Sequence, residues 1–183
     1  VNVTIEDLYK MPLDRELLSE DEQKYYDTAY ELLCNGETYG VFQFGGSNIT
    51  RCLQRMIPRN VEDIAAVNAI YRPGVIKMGA LDSFLRRRNG EEESKNNHHK
   101  LFDDILAPTE NIMIYQEQFI QMFNRLGLNF GQGDILRKIA ESLDHKKCNE
   151  YLEENLYSHP EKLVLSLKET KAVAKKLIDN AGY

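Results

Sequence analysis

The sequence predicts a mainly α-helical fold, and three features carry that prediction. Apolar residues recur at three- and four-residue spacing through most of the chain. Ser-x-x-Glu boxes at Ser19–Glu22 and Ser166–Glu169 open such runs. Only residues 39–44 have the character of a short strand or an extended segment.

The elements follow in order. In the first box the Ser19 hydroxyl and the Glu22 carboxylate can satisfy exposed helix-start amides. Tyr25, Tyr26, Ala29, Leu32 and Leu33 come next at helical spacing, and Asn35-Gly36 ends the run. Tyr39-Gly40-Val41-Phe42-Gln43-Phe44 reads as a strand or extended connector that passes through Gly45-Gly46 into a helix over 47–57. In that helix Ile49, Cys52, Leu53 and Met56 form the inward stripe. Arg51, Arg55 and Arg59 recur every four residues, so at least the first two share a face. A further helix carries Ile64, Ala65, Val67, Ile70 and Tyr71 to a break at Pro73-Gly74. Residues 78–88 read as another helix, closed by Asn89-Gly90, and the polar segment Glu91 to His99 reads as a solvent-exposed loop. Helices are expected at 100–106, 115–126, 131–143 and 145–157. His159-Pro160 suits a helix start, and the second box precedes Ala172, Val173, Leu177 and Ile178. No repeat and no low-complexity tract interrupts the chain.

Composition narrows the function classes. A chain of 183 residues with 42% hydrophobic content can bury a core, which excludes a wholly disordered protein. No apolar run approaches the roughly 20 residues needed to cross a bilayer, so no membrane partner is expected. The start, Val1-Asn2-Val3-Thr4, has neither a signal-peptide pattern nor an initiator Met, which fits a chain processed or cut from something longer. Cys34, Cys52 and Cys148 are widely separated and odd in number, which suggests no disulfide framework. With His98, His99, His145 and His159 they make no zinc spacing. A reduced cytoplasmic protein is expected. The net charge of −6 is uneven: residues 1–37 hold 10 acids and 3 bases, and the remainder has a net charge of +1. Acidity overall therefore does not argue against nucleic acid, which responds to local patches.

The chemistry points to binding rather than catalysis. Two-metal phosphoryl chemistry needs clustered carboxylates. Asp63 and Asp103-Asp104 sit in helical contexts, and a solvated helix face is the ordinary account of the Asp103-Asp104 pair, so no metal site and no catalytic residue is assigned in this chain. There is no Walker-type loop and no Ser/His/Asp signature. Gly131 to Lys138 places Arg137 and Lys138 early in a helix, where they can clamp phosphate oxygens; a salt-bridged face is the ordinary account, and spacing alone favours it. Arg86-Arg87-Arg88 fits contact with a DNA backbone and equally a favourable helix C-terminus. Tyr115-Gln116-Glu117-Gln118 can line a groove that supports bases, or simply start a helix. Arg72, before Pro73-Gly74, can project toward a polyanion from a rigid turn, or simply end one.

The order of these pieces resembles the alpha subunit of bacterial DNA polymerase III, the family C replicative polymerases. The resemblance runs through Gly40-Val41-Phe42-Gln43-Phe44, Pro58, Glu62-Asp63-Ile64-Ala65, Arg72-Pro73-Gly74, Gly79 with Asp82 and Phe84, Tyr115-Gln116-Glu117-Gln118 and Leu136-Arg137-Lys138. Residues 11–39 are similar to the family's helical lead-in, and Ala181-Gly182-Tyr183 to the beginning of a further motif. The resemblance implies an irregular multi-helix fingers domain. Residues 1–38 would be the lead-in, 39–143 the core of the fingers, and 144–183 their C-terminal helical part, truncated at its end. It implies a part of a DNA-directed DNA polymerase that positions the incoming dNTP and the template. The catalytic aspartates and their Mg²⁺ would belong to a palm domain outside this chain, leaving the isolated chain inactive. Arg137 and Lys138 would meet the triphosphate, with Arg72, Tyr115 and Gln116 near the nucleotide pocket. Arg86, Arg87, Arg88, Lys146 and Lys147 would meet DNA. The implied partners are primer-template DNA, dNTP and other replisome proteins, for a chain that is monomeric by itself.

The sequence departs from the family pattern in places. Phe44-Gly45-Gly46-Ser47 stands where the family carries Leu-Glu-Ser after its Gly-Val-Phe-Gln, and Lys138 stands for a second Arg, keeping charge without the planar fork. The family's Gly-Lys-Lys is out of register, and Lys146-Lys147 is a weak substitute. Such drift suits a phage or prophage version of the enzyme. Two other readings fit the same residues: a stand-alone helical module that binds nucleic acid, and a fingers-derived protein-interaction module using its acidic N-terminal third.

Overall fold

The computed structural model describes residues 14–72, 76 and 79–181, and among these are nine α-helices and no strand. The fold is mainly α, as the sequence predicts. The chain forms two compact units, Val1–Tyr71 and Arg72–Tyr183. The Val1-Asn2-Val3-Thr4 start, the Pro73-Gly74 break and Gly182-Tyr183 lie outside the described residues.

In the first unit, α1 (Glu20–Cys34) begins at the expected box. The Glu22 carboxylate accepts from the Ser19 amide at 2.9 Å and from the Ser19 hydroxyl at 2.5 Å. Helix α2 (Ser47–Met56) packs against both α1 and α3 (Val61–Ile70), burying the Ile49, Cys52, Leu53 and Met56 stripe. It ends where Ile57 takes a left-handed φ of 52° ahead of Pro58. Arg59 therefore lies outside the helix, and only Arg51 and Arg55 remain on its exposed face. Asn60 caps α3 by accepting from the Asp63 amide at 2.8 Å, while the Asp63 carboxylate accepts from the Arg59 amide at 2.9 Å. Asp63 is buried in the first turn of α3, and Asn60 is the cap.

The strand or extended connector expected at 39–44 is instead a pair of turns. The Val41 amide donates to the Thr38 carbonyl and the Phe44 amide to the Val41 carbonyl. Gly40 (φ 80°) and Gln43 (φ 67°) occupy the third position of their respective turns, where a positive φ reverses the chain and rules out a strand.

The second unit comprises α4 (Ala80–Arg88), α5 (Asp103–Leu106), α6 (Gln116–Leu126), α7 (Phe130–Glu141), α8 (His145–Leu152) and α9 (Leu167–Asp179). The 100–106 segment, expected as one helix, is a 3₁₀ turn (Lys100–Phe102) followed by the short α5. The segment expected as a helix over 145–157 changes pitch after α8, at a π turn (Glu153–Tyr157) in which the Ser158 amide reaches back five residues to the Glu153 carbonyl. That wider turn puts the consecutive Leu156 and Tyr157 into the core together. Pro160 opens only a 3₁₀ turn (Pro160–Lys162).

Helix α6 is the centre of this unit. Phe119, Met122, Phe123 and Leu126 are fully buried in one apolar cluster with Leu136, Leu152, Leu156 and Leu177. Burying a large apolar side chain stabilises by roughly 1.5–3 kcal/mol, so α6 is the costliest helix to disturb. It leads into α7 through Gly127, whose φ is 124° and whose missing Cβ would lie 2.4 Å from the Lys162 carbonyl oxygen. Both the backbone angle and the space demand glycine. Gly127→Ala is expected to lower the urea midpoint by an amount equivalent to about 3 kcal/mol. An unchanged midpoint would contradict the packing of Lys162 over this turn.

Candidate functional site

Helices α6 and α7 form an antiparallel hairpin, and glycine sets their separation. A Cβ on Gly133 would sit 3.1 Å from Ile120 Cγ2 and 3.3 Å from the Ile120 carbonyl oxygen, so the two backbones approach closely at that point. The approach brings the start of α6 beside the end of α7. There, Gln116 Nε2 donates to Glu141 Oε1 at 3.0 Å, and the Arg137 guanidinium donates to the same oxygen. Arg137 Nε donates to Asp134 Oδ1 at 3.0 Å, and Lys138 Nζ lies 2.7 Å from Asp134 Oδ2. Gln116, Arg137 and Lys138, expected to act together, are thus joined into one network by Asp134 and Glu141.

The position of the cations differs from the sequence reading. Helix α7 begins at Phe130, capped by Asn129, so Arg137 and Lys138 lie in its second half, away from the positive N-terminal end. Carboxylates rather than the helix dipole define their surroundings. The Arg137 side chain is only 11% exposed whereas that of Lys138 is 63% exposed, so one cation is an enclosed fork and the other a point charge in an exposed ion pair. Burial works against the charge on Arg137, but its bond to Asp134 and the field of Glu141 more than restore it. Lys138 first, then Arg137, holds the Asp134 carboxyl below its usual range. Arg137 has five N–H donors, and the contacts to Asp134 and Glu141 leave others for a further acceptor.

The rest of the Tyr115–Gln118 run supports this face. The buried Gln118 carbonyl accepts from the Ile114 and Tyr115 amides, and its NH₂ group donates to the Ile105 carbonyl and the Thr109 hydroxyl. Tyr115 is half-buried at the N-cap of α6. Arg72 is half-buried, and no described contact links it to the α6–α7 face.

The three arginines at the end of α4 behave differently from one another. Arg87 is turned inward, with a side chain 8% exposed, and donates to Glu92 at 2.7 Å and to the Glu110 carbonyl at 2.9 Å. Arg86 is half-exposed and holds the other Glu92 oxygen at 2.8 Å; Arg88 is half-buried with contacts of its own. The segment expected to be a solvated loop over 91–99 is therefore tied to α4 through Glu92. It is also tied onward by Asn96, which donates to the Asp103 carboxylate. Asp104 pairs with Arg125 at 2.5 Å. Lys146 and Lys147 are exposed in the first turn of α8, where Lys147 pairs with Asp144 at 3.1 Å. Among the described residues, no group of three or more His, Cys, Asp or Glu side chains is placed to hold a metal ion. No helix among them is long and apolar enough to cross a membrane.

Comparison with known proteins identifies the family of the chain. Residues 4–161 match the family described as the bacterial DNA polymerase III alpha subunit finger domain. The chain belongs to that family. It is 38% identical over 113 residues to the DNA polymerase III subunit alpha of Saccharopolyspora erythraea, covering 60% of this chain and 10% of that protein. It is 37% identical over 145 residues to the Mycobacterium leprae subunit (77% of this chain, 12% of that protein). The Mycobacterium tuberculosis subunit is 36% identical over 151 residues (80% and 12%). This finger-domain chain thus spans about a tenth of the length of these relatives.

Several side chains that matter to the finger domain went unread in its sequence. Asp134 and Glu141 stand three residues before and four after Arg137, a spacing that marks an ion-pair ladder and was available to find them. Glu92 carried no such signal, and for Gln118 the sequence offered only its place at a helix start, since Ile105 and Thr109 come from another segment. Replacing Gln118 by Leu strands the Ile114 and Tyr115 amides and the Ile105 carbonyl. It is expected to destabilise by about 3 kcal/mol in urea titration; a loss within error would overturn this role. Hydrogen bonds from Ser83, then Arg87 and Arg86, lower the Glu92 pKa from 4.5 to about 2. A depressed carboxylate contributes stability that is present above its unfolded value and disappears as pH falls through the folded one. The Glu92 contribution should therefore fade between pH 4.5 and about 2. Glu92→Gln should flatten the stability profile in that window, and an identical profile would count against the cluster.

Proposed function

We propose that this chain acts as the fingers of a DNA-directed DNA polymerase and that the α6–α7 face receives the triphosphate of the incoming dNTP. The observation that carries this reading is the joint placement of Gln116, Arg137 and Lys138 around Asp134 and Glu141. The two carboxylates orient the guanidinium before a nucleotide arrives, which lowers the entropic cost of catching a phosphate. Lys138, exposed in its pair with Asp134, meets the phosphate chain as a point charge, and Tyr115 and Arg72 flank the pocket in the closed enzyme. The donors act by offsetting charge that grows on the phosphoryl oxygens during transfer.

Among the described residues, four carboxylates of the second unit are already engaged by other side chains. Asp104, Asp134 and Glu141 are each neutralised by an arginine, and Asp103 accepts from Asn96. The metal belongs, in this reading, to carboxylates elsewhere in the parent enzyme. Arg86, Arg88, Lys146 and Lys147 contribute to the primer-template surface, whereas Arg87 serves the fold. In the parent polymerase Arg137→Ala should cost about 1.5–3 kcal/mol of transition-state stabilisation, a roughly 10- to 150-fold fall in kcat/KM for dNTP. Arg137→Lys should recover only part of it, because the planar fork is lost. Unchanged nucleotide use by the alanine variant would remove Arg137 from the site.

A further inference from the structure

The paired turns at residues 38–44 present two aromatic rings to solvent in a way that packing does not explain. Tyr39 is fully exposed and Phe42 is 83% exposed. Each occupies the second position of its own four-residue turn, Thr38–Val41 and Val41–Phe44, so the two rings sit at equivalent corners three residues apart. The scaffold beneath them is firmly tied. Phe44 and Thr38 are buried, and the Phe44 carbonyl accepts from the Thr38 hydroxyl at 2.8 Å and from the Thr50 hydroxyl at 2.9 Å. Gln43 is held at a φ of 67°, a conformation that side chains other than glycine adopt at a cost. The turns are tied to the fold while both rings stay out of the core, which leaves the rings available for contact.

Charge indicates what it binds. Residues 38–61 contain Arg51, Arg55 and Arg59 and not one Asp or Glu, in a chain with 29 acids. Arg51 is exposed on α2, the helix that Gly45-Gly46 joins to the aromatic turns. Nothing lies within 4 Å of where a Cβ would stand on Gly40 or Gly45, so the approach to the platform is open. Exposed aromatic faces on a segment that also carries exposed arginines, with Glu37 the one acid directly before it, suit unpaired bases with their phosphates. A protein partner would instead call for a continuous apolar surface with a mixed rim.

We infer that Tyr39 and Phe42 form a stacking platform for unpaired bases of single-stranded DNA, with Arg51 paired to the adjoining phosphate. This deepens the polymerase reading, but it involves the first unit, whereas the triphosphate face belongs to the second. The test is fluorescence anisotropy of the whole chain with a labelled single-stranded oligodeoxynucleotide at low salt. Tyr39→Ala and Phe42→Ala should each weaken binding by roughly 5- to 100-fold. Tyr39→Phe and Phe42→Tyr, which keep a stacking face, should retain affinity. Arg51→Ala should reduce the salt dependence by about one phosphate, a slope change near 0.7. The chain has no tryptophan, so Phe42→Trp supplies a sole reporter whose fluorescence should be quenched by the oligonucleotide. The proposal fails if the wild-type chain does not bind, or if the alanine variants bind as well as it does. It also fails if the aromatic exchanges lose as much affinity as alanine. A dimer in sedimentation that both alanine variants dissolve, with oligonucleotide affinity unchanged, would assign the rings to self-association and overturn it. The triphosphate assignment is read from dNTP kinetics of the parent polymerase and this one from oligonucleotide affinity of the chain, so failure here and failure of the triphosphate assignment are read separately.

Discussion

The close approach of α6 and α7 at Gly133 is the constraint on which the second unit depends. A side chain there would press on both the Ile120 side chain and its carbonyl, and the helices would separate. Their contact lets Phe119, Met122, Phe123 and Leu126 share one core with Leu136. The same contact brings Gln116 within hydrogen-bonding distance of Glu141. Packing and site are therefore two results of one geometric condition. Glycine within a helix weakens it by up to about 1 kcal/mol relative to alanine, a cost that the buried apolar surface of the hairpin exceeds severalfold.

Buried or half-buried polar side chains complete this frame, and most of them hold segments that lack regular structure. Gln118 ties the turn before α6 to α5, and Thr109 joins that knot. Glu92 gathers Ser83, Arg86 and Arg87, fixing the chain after α4. Asp63 performs the corresponding duty in the first unit, at the start of α3. In each case a long irregular connection is held by one side chain with several partners, which is how an irregular helical domain keeps a single conformation without a sheet.

The cations illustrate how surface charge divides between architecture and binding. Arg87 and Arg125 are both committed to carboxylates and to backbone carbonyls, contacts that order the chain. Lys138, Lys146 and Arg51 reach solvent. Arg137 stands between these classes, enclosed by two carboxylates yet with donors to spare. A guanidinium so placed is already oriented, as the proposed phosphate contact requires, whereas Lys138 and Lys146 are held only in exposed ion pairs.

By itself the sequence determined the helical class, because the 3.6-residue spacing of apolar side chains and the helix-start boxes are local properties. Ser19–Glu22, Ser166–Glu169 and the Ile49–Met56 stripe appear as read. The order of motifs also determined the family, since it survives in the chain whatever its fold. Tertiary structure alone decided which polar groups of distant segments meet. Gln116 and Glu141 are 25 residues apart, and Arg87 and Glu110 are 23 apart, so no local spacing announces either contact. It also decided that 39–44 turns rather than extends. Alternating apolar residues favour a strand only where a neighbouring strand can take their hydrogen bonds. Here the Thr38 and Thr50 hydroxyls take the Phe44 carbonyl instead, and the chain folds back on itself.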